Sequence, residues 1–138
     1  MYVLDASVVV KWFVEEEGKE IALSIRDKFW KREIHIIVPD LLLYEISNAL
    51  RYNPKFNEND VKDAIDSIIN MGIRILIPSG EILKKAIDMS FLYGITLYDA
   101  YYVALADELK IPFITADKKL FDKIKKFSLA NYLLSLKF

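Results

Sequence analysis

Four acidic residues stand at positions where a folded chain could bring them to one place. Asp5 closes the apolar run Tyr2-Val3-Leu4, and Asp117 follows Phe113-Ile114-Thr115. Asp99 opens a helical stretch, and Glu45 lies inside another. Carboxylates about 5 Å apart repel by roughly 3 kcal/mol per pair at an effective dielectric of ~20, so such a group needs countercharge. The chain has no cysteine and a single histidine, His35. An all-oxygen donor set of this kind selects Mg²⁺ or Mn²⁺ over zinc. Carboxylates around such an ion suit hydrolysis of a phosphodiester, with metal-bound hydroxide as nucleophile and the leaving oxygen stabilised by the same charge.

Each acid also has a local reading. Asp5 or Ser7 could cap the helix beginning near Val8, and Asp117 could cap the run that starts at Lys118. Thr96-Leu97-Tyr98-Asp99 has the spacing of a capping-box variant. Glu45 is the exception, since no helix end claims it and no basic residue lies between Glu33 and Arg51. Asn48, three residues on, projects from the same face and could share a ligand or a hydrogen bond. Ser7, Asn48 and Thr115 are neutral hydrogen-bonders suited to orienting a carboxylate, a water or a phosphate, and caps or turns would use them equally well.

These residues must be positioned by an alternating chain. Short apolar runs at Tyr2 to Leu4, Ile34 to Val38, Ile73 to Ile77 and Pro112 to Thr115 read as buried strands, and Tyr132 to Phe138 as a further edge. His35 then belongs to a strand and has a structural role. Helical periodicity fills approximately 7 to 14, 17 to 32, 40 to 52, 57 to 70, 79 to 92, 97 to 110 and 117 to 126. Strands separated by crossover helices pair in parallel, with helices on both faces, so the fold class is α/β. In such a sheet the strand carboxyl ends and the starts of the following helices share one edge, where the four acids can meet.

Composition narrows the function. The 138 residues are one domain's worth, 1–138, and 54% are hydrophobic, which excludes disorder. Without cysteine there is no thiol nucleophile, zinc-thiolate site or disulfide, and the cytoplasm is the expected compartment. Asp5 interrupts the apolar start after four residues, so no signal peptide is expected, and no uncharged stretch reaches the ~20 residues of a membrane span. The four glycines never cluster, which disfavours ATP and dinucleotide sites. A net charge of −1 gives no overall attraction to a polyanion. Its distribution is uneven, however: residues 1–50 and 51–109 each net −3, while residues 110–138 net +5. Lys118, Lys119, Lys123, Lys125 and Lys126 carry that excess, either as a solvated helix face or as a phosphate contact.

Taken in order, Val3-Leu4-Asp5-Ala6-Ser7, Pro39 to Leu50 around Glu45 and Asn48, Leu97 to Ala106 around Asp99, and Ile114-Thr115-Ala116-Asp117 resemble the PIN-domain family, specifically its VapC-type toxins of prokaryotic toxin-antitoxin pairs. The resemblance covers nearly the whole chain and departs at none of these positions. It implies a three-layer PIN-like fold with a central parallel sheet of about five strands. It further implies an Mg²⁺- or Mn²⁺-dependent endoribonuclease, with Asp5, Glu45, Asp99 and Asp117 as the metal-binding catalytic quartet and Ser7, Thr115 and Asn48 as helpers. The implied partners are an RNA substrate, a second copy of the chain in a homodimer, and an inhibitory VapB-like antitoxin whose Arg or Lys reaches the acids. Phe91, Tyr93, Tyr98, Tyr101 and Tyr102 could belong to the dimer face or to the core.

Alternatives stay open within the same residues. The quartet does not choose among RNA, DNA and other phosphate esters, and a non-toxin PIN nuclease or a catalytically silent RNA- or protein-binding scaffold would share the fold. A phosphoaspartate enzyme would need a second Asp two positions after the nucleophile, where Ser7 stands.

Overall fold

The computed structural model describes residues 1–138. Five strands form the sheet: β1 (Tyr2–Leu4), β2 (Ile36–Pro39), β3 (Arg74–Leu76), β4 (Phe113–Thr115) and β5 (Ala130–Tyr132). They lie in the order β3-β2-β1-β4-β5, and every neighbouring pair is parallel. The helices are α1 (Ala6–Val9), α2 (Lys19–Trp30), α3 (Leu41–Arg51), α4 (Glu58–Asn70), α5 (Gly80–Tyr93), α6 (Leu97–Leu109) and α7 (Lys118–Lys123). Every residue of β2 and β4 is buried, so both faces of the sheet are covered, as the α/β reading expects.

Helix α6 packs against β1, β2 and β4, and α5 covers it from outside. That placement explains why Ala100 to Ala106 are buried without interruption, while Ile87, Phe91 and Leu92 of α5 remain exposed. Tyr101 and Tyr102 are therefore core residues: Tyr102 is fully buried against Phe113, and the Tyr101 hydroxyl accepts the Ser79 N–H at 3.2 Å. Phe91 and Tyr98 face outward. The aromatic set thus divides between core and surface.

Several boundaries differ from expectation. The stretch 7 to 14 is not one helix: α1 ends at Val9 and a 3₁₀ turn runs over Val10–Trp12, just as three successive valines, Val8 to Val10, whose branched Cβ atoms disfavour helix, come to an end. Strand β2 begins at Ile36, leaving His35 exposed just ahead of it, where its carbonyl accepts the Tyr2 N–H at 2.9 Å. The last strand is Ala130–Tyr132, and the chain turns into a 3₁₀ segment at Leu133–Ser135 in place of the expected edge from Tyr132 to Phe138. Leu133 is fully buried there, and Leu134 comes close enough to Gly18 that a Cβ on that glycine would lie 2.7 Å from its Cδ2. No helix is long and apolar enough to cross a membrane.

Candidate active site

Strand order reverses at β1. The chain moves from β1 out to β2 and β3 on one side, then crosses to β4 and β5 on the other. In open α/β sheets the crevice at such a reversal, beyond the strand carboxyl ends, is where ligands gather. Asp5 leaves β1 and Thr115-Ala116-Asp117 leave β4 at this crevice.

Asp5 occupies the position before α1, but its side chain caps nothing. It is 4% exposed, and its Oδ2 accepts from Ser7 Oγ at 2.6 Å and from Thr115 Oγ1 at 2.7 Å. Each hydroxyl is itself held from behind. Ala116 N–H donates to Ser7 Oγ at 2.9 Å, and Asp117 N–H to Thr115 Oγ1 at 3.0 Å. A hydroxyl has one proton, so with both protons given to Asp5, the 3.3 Å approach of Ser7 Oγ to Thr115 Oγ1 carries none. Burial nevertheless raises the Asp5 pKa; the two hydroxyls work against that rise, and the Asp117 charge adds to it.

Glu45 projects from the middle of α3 and is half-buried. Tyr102 of α6, not Asn48, is its partner: the phenol donates to Glu45 Oε1 at 2.8 Å. Asn48 is exposed and takes no part in these hydrogen bonds. Burial pushes the Glu45 carboxyl up to about 7, with the Asp5 and Asp99 charges adding to the rise and the Tyr102 hydrogen bond opposing it. Burial and the adjacent Glu45 likewise raise the Tyr102 phenol well above its ordinary value, so it stays protonated and serves as a donor.

Asp99 stands in the first turn of α6, where Thr96 Oγ1 caps the helix by accepting the Asp99 N–H at 3.1 Å. Its carboxyl is pushed up to about 6 by burial, then by the Asp5 and Asp117 charges, with the Lys123 ammonium pulling the other way. Asp117 is exposed and does cap α7, its Oδ1 accepting the Leu120 N–H at 3.1 Å. That cap does not remove it from the group, because both Asp5 and Asp99 feel its charge.

The four acids thus form one electrostatic neighbourhood running from Glu45 through Asp5 and Asp99 to Asp117. They are not drawn into a tight cage: no three acidic or imidazole groups are close enough together to hold an ion as the side chains stand. The Tyr102 and Leu120 hydrogen bonds hold the outer two. In donor chemistry the set fits a hard divalent cation, with oxygens only and protonation favoured by burial and, after it, by the neighbouring negative charge. The carboxylates must move inward to share it. A cavity of about 450 Å³ lies at the opposite, amino end of the sheet, among Phe29, Trp30, Arg32 and His35.

Tyr102 is the residue that sequence reasoning missed. The sequence alone assigns it to the core or a dimer face, and its burial fits the former, yet its hydroxyl serves Glu45. The available signal was its spacing: it lies three positions after Asp99 on one helix, hence on the same face.

Residues 2–127 match the PIN domain. The chain is 30% identical over 125 residues to Ribonuclease VapC3 of Pyrobaculum aerophilum, covering 88% of this chain and 92% of that protein. It superposes on the crystal structure of PAE2754 from the same organism with a TM-score of 0.72 at 20% identity, over 97% of this chain and 84% of the other. A toxin-antitoxin complex from Klebsiella pneumoniae gives 0.72 at 14% identity, over 96% and 98%. These two superpositions show a shared fold across almost the full length.

Proposed function

Since this chain belongs to the PIN domain family, we propose that it is a VapC-type endoribonuclease, dependent on Mg²⁺ or Mn²⁺ and held in check by a VapB-like antitoxin. The observation that carries this reading is the coupled carboxylate set at the β1/β4 crevice, where Asp5, Glu45 and Asp99 all hold protons more tightly than ordinary acids. Groups that repel one another and lack a fixed cation suit a divalent ion better than they suit a purely structural role.

Asp5, Glu45, Asp99 and Asp117 would hold the ion. When bound, it supplies a hydroxide at neutral pH and charge to stabilise the leaving oxygen of a phosphodiester. The protein's own part is orientation. Ser7 and Thr115 fix the Asp5 carboxylate from the side of β4, and Tyr102 fixes Glu45 from α6. In the metal-free protein, burial and the Asp5 and Asp99 charges push the Glu45 carboxyl up to about 7. Asn48 is an exposed neighbour able to meet substrate on the α3 side.

Partners follow from the same site. A bidentate Arg of an antitoxin would neutralise these carboxylates and displace the ion. The exposed Phe91 and Tyr98 support a homodimer face. A chain without cysteine is at home in the cytoplasm.

The decisive experiment incubates purified protein with tRNA, rRNA and single-stranded DNA, with and without Mn²⁺. Cleavage of RNA only, only with metal, and lost in Asp99→Asn is the expected result. Preferential DNA cleavage, or RNA cleavage unaffected by EDTA, would overturn the proposal.

A further inference from the structure

The carboxyl-terminal lysines do not spend their charge evenly. Lys110 pairs with Asp107 at 2.9 Å, and Lys118 and Lys125 share Asp122 at 2.8 and 3.2 Å. Lys119, Lys123 and Lys126 pair with no carboxylate. Lys123 is placed with some care: its Nζ donates to Gly94 O at 3.3 Å, tying α7 to the turn between α5 and α6. From there its charge reaches Asp99. Next to it a cavity of about 550 Å³ opens between the end of α5 and α7, lined by Leu92, Tyr93, Asp122, Lys123, Lys125 and Lys126. Three lysines against one aspartate leave this groove positive, immediately beside an edge of the molecule that is negative.

We propose that this groove holds the single strand flanking the cut on the Asp99 side, with phosphates at Lys123 and Lys126 and a base against the Tyr93 ring. The inference rests on the ribonuclease reading and adds a substrate track to it. An acidic cut site repels the polyanion it must receive, and positive charge within a Debye length of Asp99, about 10 Å at 0.1 M salt, offsets that repulsion. An aromatic ring beside ammonium groups is the arrangement that binds unpaired bases: the ring needs a free base face, and lysine contacts the backbone as a point charge without reading sequence. A duplex hides its base faces and would use only the lysines. The track is accordingly tolerant of sequence and selective for unpaired strands.

The test is binding of a fluorescent single-stranded RNA 12-mer to the full-length chain in EDTA across a salt series, with the Lys123→Gln/Lys126→Gln pair, Tyr93→Ala, and a control pair, Lys31→Gln/Lys84→Gln. The control lysines are exposed and remove equal charge elsewhere. We expect the groove pair to weaken binding about tenfold and to lower the slope of log K against log salt by about 1.4, roughly 0.7 per lost phosphate contact. Tyr93→Ala should weaken single-strand binding roughly tenfold while leaving the salt slope unchanged. In Mn²⁺, the groove pair should raise KM and keep kcat.

An equal slope change in the control pair would overturn the proposal, as would duplex RNA losing as much from Tyr93→Ala as single strand does. Competition by a poly-glutamate peptide as effective as that by unlabelled RNA would also overturn it, assigning the groove to an acidic protein segment. If the wild type binds through the groove but cuts no RNA, the ribonuclease reading fails and the groove stands. If it cuts RNA and the groove variants behave as wild type, the groove alone fails.

Discussion

The phenol of Tyr102 donates a 2.8 Å hydrogen bond to Glu45 Oε1 across 57 positions of sequence, joining the buried helix α6 to the middle of α3. The same helix carries Asp99 one turn earlier, so two acids from different elements are set by one rigid rod. Glu45 sits near a pKa of 7 even with this donor, and the donor's effect is to lower it.

Replacing Tyr102 by Phe keeps the ring packed against Phe113 and removes only that donor. Hydrogen bonds to charged groups contribute about 1.5–3 kcal/mol, so kcat/KM should fall roughly tenfold to a hundredfold. The acidic limb of the pH–rate profile should move to higher pH, because Glu45 loses the group that lowers its pKa. A profile that keeps its position would show that Glu45 does not set that limb.

The metal-free protein should lose stability as pH rises from acid to neutral. Folding raises Glu45 from 4.5 to about 7 and Asp99 from 3.8 to about 6. A carboxyl that grips its proton more tightly when folded stabilises the fold fully below its unfolded pKa, and the contribution is lost as pH rises through the folded value. In EDTA, wild-type melting temperature should therefore drop relative to Glu45→Gln between about pH 4.5 and 7, and relative to Asp99→Asn between about pH 4 and 6. Both variants should melt higher than wild type at about pH 8. Curves that run parallel across these windows would count against the raised carboxyls, whether burial or neighbouring charge raises them.

Divalent metal should reverse this ranking. At a hundredfold excess over Kd, a bound ion adds about 2.7 kcal/mol to stability. Calorimetry in Mn²⁺ should show that gain in wild type and little of it in Asp5→Asn or Asp99→Asn. Equal gains in all three proteins would mean that the ion binds somewhere else.

Thr115 offers a separate probe, because it both donates to Asp5 and accepts from the Asp117 N–H while fully buried. Thr115→Val leaves the Asp117 N–H unsatisfied and Asp5 with Ser7 as its only hydroxyl donor, and should cost about 1–3 kcal/mol in stability, measured by urea denaturation. Thr115→Ser keeps the hydroxyl and should restore cleavage that Val removes. If Val cleaves as well as Ser, the hydroxyl is not orienting Asp5 for catalysis.

Local pattern carried much of the fold. Strands β1, β2, β3 and β4 overlap the apolar runs ending at Leu4, Val38, Ile77 and Thr115, with boundaries off by a residue or two (β2 runs one residue further, to Pro39), because parallel strands buried on both faces are apolar throughout. What local pattern lacks is tertiary preference. The end of the chain was misassigned because Leu133 is buried by a 3₁₀ turn, not by a strand. Thr96 and Asp117 proved to be caps, as their positions allow, while Asp5 at an equivalent position caps nothing and serves two hydroxyls instead. Asn48 was linked to Glu45 by helical spacing, but Tyr102 from another helix makes the bond. Spacing along one element states who can be neighbours; only packing between elements states who is.

The two hydroxyls that serve Asp5 have a mechanical consequence. Ser7 comes from the β1 side and Thr115 from β4, each anchored by an N–H of the β4 exit, and Asp5 N–H itself bonds Ile114 O at 2.9 Å. The seam between these strands is stitched by side chains past the point where the ladder stops, so it cannot gape like a hinge. Asp5 is a fixed anvil, and whatever adjustment an arriving ligand demands falls to the acids carried by the helices.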